Sequence, residues 1–308
     1  MKNKILYLLF ALLVLSGNLK GQPHPVSSLY MFDPMLINPG YTGVPVQFST
    51  TFIHRDQWVN LPGAPKTSSF SIQSSFFKTR VGVGLMFTND RIGIHDDYGL
   101  YATYAYHLPI NRKSKLSMGL QAGFNHLESD FTQLKIRDWT DPNLYGRVTK
   151  LNPNFGVGLH YYGERFYLGF SIPFLLESRL VDVEGVLSEA RQSRTYYING
   201  GYTFIPNMNF KITPSMLIRY QEGAPLGVDI NVMSSYKEIV ALGVSYRSND
   251  ATIFMFQLQI FNNMHLGYAY DYTMSDLNQF SKGSHEILLN YRFLIPKIHK
   301  GLVCPAYF

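Results

Sequence analysis

From residue 47 onward apolar side chains recur at every second position, the period of a strand with one face turned to an apolar environment. Across Lys115–Asn125, Leu116, Met118, Leu120, Ala122 and Phe124 share one face, and Ser117, Gly119, Gln121, Gly123 and Asn125 share the other. Asn209–Gln221 repeats the pattern, with Phe210, Ile212, Met216, Ile218 and Tyr220 opposed by Lys211, Thr213, Ser215 and Arg219. A basic side chain facing hydrocarbon at mid-depth costs about 2–4 kcal/mol, so the parity that carries Lys211 and Arg219 is expected to point inward. Segments of this kind are expected near 47–55, 66–77, 80–89, 98–108, 115–126, 152–162, 165–173, 195–205, 209–221, 226–236, 239–247, 251–261, 264–273 and 284–294. Each has the length that a tilted strand needs to cross a bilayer. About fourteen strands is an even number, as bacterial single-chain barrels require.

The connections between these segments alternate in length. Lys78–Thr79, Pro109–Ser114, Gly163–Glu164, Pro206–Asn207, Tyr236–Glu238 and Asn262–Asn263 are tight. Between them fall longer connections, Asp56–Pro65, the stretch around Asp90–Asp97, Leu127–Leu151, Leu175–Arg194 and Thr273–Gly283, with only Glu222–Pro225 and Ser248–Asp250 short in that series. Short turns at one rim and long loops at the other are the layout of an outer-membrane barrel with periplasmic turns and extracellular loops. The fold class expected is therefore all-β, a transmembrane antiparallel up-and-down β-barrel with both termini periplasmic.

Composition agrees with that architecture. Charged residues are 16% of the 308, aromatics 15%, with 22 Tyr and 22 Phe. A soluble enzyme carries about a quarter charged residues. Lys2 and Lys4 followed by the apolar run Ile5–Leu15 and small polar residues through Gly21 have the form of a secretory signal, with a core too short to span a bilayer. The expected organisation is a signal peptide over 1–21, a periplasmic N-terminal segment over 22–46, the barrel over 47–294 and a tail over 295–308. The formal charge of +6 includes Lys2, Lys4 and Lys20, and the remaining cations are scattered, so no nucleic-acid partner is expected. The single cysteine, Cys304, has no internal disulfide partner.

Several phrases then resemble the PorP/SprF family of outer-membrane proteins associated with the type IX secretion system of Bacteroidota. They are Ser28-Leu29-Tyr30-Met31; Ile37-Asn38-Pro39-Gly40-Tyr41-Thr42-Gly43, with Gly40 in place of the family's usual Ala; Arg55-Asp56-Gln57-Trp58, followed by Leu61-Pro62-Gly63; Asn89-Asp90-Arg91-Ile92-Gly93; Tyr104-Ala105-Tyr106-His107-Leu108-Pro109; Gly267-Tyr268-Ala269-Tyr270-Asp271-Tyr272-Thr273; and Gly283-Ser284-His285-Glu286. They run in order through nearly the whole mature chain, and the tail from Ile295 to Phe308 extends past the family's usual end. The resemblance implies an outer-membrane component of the secretion and gliding machinery. Its partners would be outer-membrane lipid, periplasmic ring lipoproteins and other type IX components, and a secreted cargo protein or adhesin. A passive porin or hydrophobic-solute channel is the alternative.

Chemistry is scarce. His107 and His160 invite a catalytic reading, but no serine stands in a nucleophile elbow, and no His, Cys or carboxylate group has recognisable metal spacing, so neither an enzyme nor a cofactor is expected. Asn89, Asp90 and Arg91 read as a charged extracellular hairpin, with Asp90 and Arg91 pairing to lumen residues. Arg55, Arg219, Arg247 and Arg292 fall at lumen parities with Asp229, Asp271 and Glu286, a set expected to form a solvated plug. His285 sits beside Glu286 on the last strand. Gln57 and Trp58 lie in the first outside loop, where Trp58 belongs either to an aromatic girdle or to a loop folding inward. Asn38, Pro39 and Gly43 mark a fixed turn that either leads into the first strand, enters the lumen, or docks on a periplasmic partner.

Overall fold

The computed structural model describes residues 26–45, 48–76, 80–133, 146–179 and 191–293. The period-two segments form fourteen antiparallel strands that close into a barrel. They are β1 (Phe48–Asp56), β2 (Lys66–Phe76), β3 (Val81–Ile92), β4 (His95–Pro109), β5 (Ser114–Asp130), β6 (Arg147–Gly163), β7 (Phe166–Ile172) and β8 (Thr195–Tyr202, continued by Phe204–Asn207). There follow β9 (Phe210–Gln221), β10 (Gly227–Tyr236), β11 (Val240–Arg247), β12 (Ala251–Phe261), β13 (Met264–Thr273) and β14 (Ser284–Phe293). Each strand pairs with its sequence neighbours, and β1 pairs with β14 from Phe48 opposite Phe293 to Asp56 opposite His285. Closure satisfies the backbone groups that an open edge would leave bare in hydrocarbon. Among the described residues no helix is long and apolar enough to cross a membrane.

Parity sorts the side chains as the alternation requires. On β5, Leu120 is 59% exposed on the outer wall, while the next residue, Gln121, is 3% exposed in the lumen. Leu85, Phe155, Leu168, Ile230 and Leu242 continue the apolar outer belt. One rim carries short turns. At the other rim β4, β5 and β6, with 15, 17 and 17 residues, rise past β7 with 7. There the first loop is tied down: Val59 N–H donates to Gly283 O (2.9 Å), Lys282 N–H to Val59 O (3.0 Å) and Gly93 N–H to Gly63 O (3.1 Å).

The expectation of a periplasmic segment over 22–46 is corrected for residues 26–45, which lie inside the lumen. Three single turns of 3-10 helix, Tyr30–Phe32, Pro34–Leu36 and Pro39–Tyr41, carry the chain through it. Val26 meets Arg55 near the long-loop end of β1, whereas Thr42 meets His107 and Gly82 near the short-turn ends of β4 and β3. The segment therefore runs the length of the lumen before β1 begins. The expected signal peptide, the Lys78–Thr79 turn, the middle of the two longest loops and the tail with Cys304 lie outside the described residues.

Candidate functional site

The lumen segment is held at three levels. Near the short-turn rim Asn38 begins the Pro39–Tyr41 turn: its Oδ1 accepts from Gly40 N–H (2.8 Å) and its Nδ2 donates to Leu159 O (3.0 Å) on β6. Proline at the first helical position suits this turn, because its missing N–H would have had no partner there. The wall beneath is glycine. A Cβ on Gly119 would collide with the Pro39–Gly40 peptide, one on Gly158 with Asn38 and Gly40, and one on Gly82 with the Thr42 carbonyl. Gly43, at φ 77°, occupies the left-handed region, and its N–H donates to Gln73 Oε1 (3.0 Å). His107 Nε2 donates to Thr42 O (3.0 Å), which leaves Nδ1 to accept from Tyr162 O–H (3.2 Å). Ser171 O–H caps Ile37 O (2.6 Å).

At mid-depth the contact is apolar. Leu29, Tyr30 and Met35 of the segment share a core with the lumen-facing Met86, Tyr101, Leu217, Met233, Met255 and Leu288. Asp33 is buried within it and accepts from Ser71 Oγ and from Gln73 Nε2 (3.4 Å). Burial pushes its carboxyl up to about 6, against the lowering effect of its hydrogen bonds and of Arg292.

Toward the long-loop rim the charges take over. Arg55 bonds Asp271 (2.7 Å), Glu286 (3.1 Å), the Val26 carbonyl (3.1 Å) and Ser28 Oγ (2.7 Å). Glu286 accepts from the backbone N–H groups of Ser28 (2.8 Å) and Leu29 (3.3 Å) and from Ser27 Oγ, and Asp271 accepts from Ser28 Oγ (2.8 Å). Arg219 (2.8 Å) and Arg247 (3.1 Å) hold Asp229, and Asn231 Nδ2 donates to Tyr30 Oη (2.8 Å). Arg55, Arg247, Asp229, Asp271 and Glu286 are all buried. The expectation of a solvated plug is corrected on this point: these charges form a buried, ion-paired clamp, whose members cannot be removed singly without stranding a buried charge.

The structure brings Asn38, Pro39, Gly43, Arg55, Asp271 and Glu286 together as the seat and the clamp. It leaves the other sequence candidates apart. His285 points outward, its Nδ1 against Tyr268 Oη (2.7 Å). Gln57 and Trp58 stay in the first loop, half-buried, with Trp58 N–H on Ser284 Oγ (3.1 Å) and Trp58 at φ 44°. Asp90 accepts from Thr67 Oγ1 (2.7 Å), and Asn89 and Arg91 fall at the outward parity of β3. Arg91 faces Asp96 (3.7 Å), so the expected pairing of this residue to the lumen is corrected. Sequence reasoning gave no role in the lumen contact to Ser28 and Met35, or to the seat glycines Gly82, Gly119 and Gly158. Inward-facing apolar residues such as Met86 and Leu217, in what would otherwise be a polar lumen, were the signal for an occupant.

The family described as type IX secretion system membrane protein PorP/SprF matches residues 19–291. The chain belongs to this family. No curated protein matches it. Among solved structures, the toluene transporter TbuX of Ralstonia pickettii is similar at 10% identity and TM-score 0.52, covering 90% of this chain and 96% of its own. The CymD monoaromatic hydrocarbon channel is similar at 12% identity and TM-score 0.50, covering 89% and 95%. At these identities the likeness is one of fold. This PorP/SprF protein is thus an outer-membrane barrel of the type IX secretion system.

Proposed function

We propose that this PorP/SprF protein is a non-enzymatic scaffold that supports export or surface anchoring of type IX cargo and contacts periplasmic ring components through its short-turn rim. The observation that carries this reading is the filled lumen. Its own N-terminal segment occupies the bore from clamp to glycine seat, so what the barrel offers a partner is its rims and outer wall. A porin contributes a water-filled path, and a plugged barrel contributes surface. Orientation follows the rule for such barrels, short turns in the periplasm and long loops outside.

The test is a deletion strain. Type IX cargo should be trapped in the periplasm, or one adhesin lost from the surface, while uptake of small solutes stays near wild type. Loss of aromatic or other apolar solute uptake with normal secretion would support the channel reading that the names of TbuX and CymD suggest. In a Cys304→Ser background, Glu222→Cys should react with an impermeant thiol reagent on whole cells and Asn207→Cys should not. The reverse labelling pattern would invert the orientation.

A further inference from the structure

On the short-turn rim the β8–β9 hairpin stands apart from the rest. Tyr202 is the last residue of β8 paired to β7, opposite Phe166, yet the strand continues through Phe204–Asn207 paired only to β9 among the described residues. From Phe204 to Phe210 every residue is exposed, and Met208 at the tip is fully so. Phe204 and Ile205 are neighbours on an extended chain, so their side chains leave opposite faces, and both are uncovered. A bilayer covers only the outer face of a barrel wall. A two-faced apolar tip beyond the paired sheet calls for a protein that can wrap both sides.

Two features narrow that partner. Pro206 removes a donor from the free edge, as edge strands that avoid further pairing often do, so the contact is made by side chains and not by an added strand. Around the same rim Arg80, Arg112, Lys113, Arg165 and Lys237 are exposed, against Glu164 and Glu238, and Glu238 is already paired with Lys211. The rim is basic, and the face it complements is acidic. We propose that the Phe204–Phe210 hairpin is the docking site for a periplasmic protein that presents an apolar pocket bordered by carboxylates. The inference rests on the orientation given under the proposed function and assigns the site of that periplasmic contact.

A photo-crosslinking residue placed at Met208 in living cells tests it, with one at Asn111, on another short turn, as the comparison. The expected result is a protein adduct at Met208 alone, mapped by mass spectrometry to an acidic segment. Its yield should fall about tenfold in the Arg165→Glu/Lys237→Glu variant, since charge reversal opposes an acidic partner. Both positions are exposed turn residues, and heat-modifiable mobility verifies that the barrel has formed. An adduct with lipid only, no adduct, or a protein adduct whose yield ignores the charge reversal would each overturn the assignment. Cargo secretion in the deletion strain separates the two levels. Blocked secretion with no Met208 adduct removes the hairpin site and leaves the secretion role standing, whereas normal secretion with a charge-sensitive adduct does the opposite.

Discussion

The Pro39 carbonyl occupies the space that a side chain on Gly119 would need. The lumen segment and the barrel wall touch backbone to backbone there, with Gly40 and Gly158 giving the same close approach from β6. Gly40 fits this contact, since even a methyl at position 40 would come within 2.9 Å of Asn38 Oδ1 and 3.1 Å of the Gly158 carbonyl.

Gly119→Val should therefore unseat the segment. Overpacking a tight site costs about 1–3 kcal/mol, and here the soft element is the segment, not the hydrogen-bonded strand. The barrel should still show heat-modifiable mobility, with a lower unfolding temperature and greater cell sensitivity to a large hydrophilic antibiotic. Gly200→Ala, whose new methyl would meet the Tyr167 carbonyl oxygen at 3.3 Å and the Leu168 side chain at 3.4 Å instead of a backbone at 2.2 Å, should change both far less. Equal behaviour of the two variants would mean that the seat does not hold the plug.

The clamp makes a different prediction. Arg55→Met leaves Asp271 and Glu286 buried without their principal cation, and stranding a buried charge costs about 3–5 kcal/mol. Denaturation in detergent should show a loss of that order. The triple variant Arg55→Met/Asp271→Asn/Glu286→Gln should recover part of it, because no ion is then left unpaired. A loss near that of a surface pair, under about 1 kcal/mol, would show that water reaches the clamp.

Much of the barrel was legible because its strands obey two rules at once. Leu120 and Gln121 alternate because one meets lipid and the other does not, and Lys211 and Arg219 fix which parity is inward. Loop lengths, alternating short and long, tested that layout independently of hydropathy. The plug was illegible for a physical reason: turns such as Pro34–Leu36 are too short to show any period, and their apolar residues are explained only by the lumen wall around them. Arg55, Asp271 and Glu286 could be assigned to the lumen from parity, but their convergence on Ser28 depends on barrel closure between β1 and β14, which no local pattern reports. Arg91 was misplaced because lumen pairing was inferred for Asp90 and Arg91 together, although adjacent strand residues face opposite ways.

Leu120→Arg should reduce the amount of folded barrel in the membrane, at about 2–4 kcal/mol for a cation at mid-depth, while Leu120→Phe should be tolerated on the same wall. The neighbouring Gln121→Arg is not a mild control. Gln121 is buried and its Nε2 donates to Pro173 O (3.2 Å), so a longer side chain would meet a filled lumen. Comparable abundance of the Arg and Phe variants at position 120 would count against the register.

The last prediction concerns pH and Asp33. Its carboxyl is raised from 3.8 to about 6 when the segment is seated, chiefly by burial, so the seated form holds the proton more tightly than the free chain does. This contribution to seating is complete below about 3.8, fades as pH rises through about 6, and is absent above it. A shift of this size corresponds to about 3 kcal/mol. The Arg292 charge acts on Asp33 in the lowering direction, so it softens the effect without changing its sign. Asp33→Asn keeps an acceptor oxygen for Ser71 and never ionises. Its unfolding midpoint should match wild type at about pH 4 and exceed it at about pH 7.5, because only wild type then carries a buried charge. Measuring the difference between the two proteins, and not either one alone, cancels the titration of the clamp. A difference that stays constant from pH 4 to 7.5 would show that the Asp33 carboxyl titrates alike in the seated and free segment, and that it is solvated and not enclosed by the core around Met35.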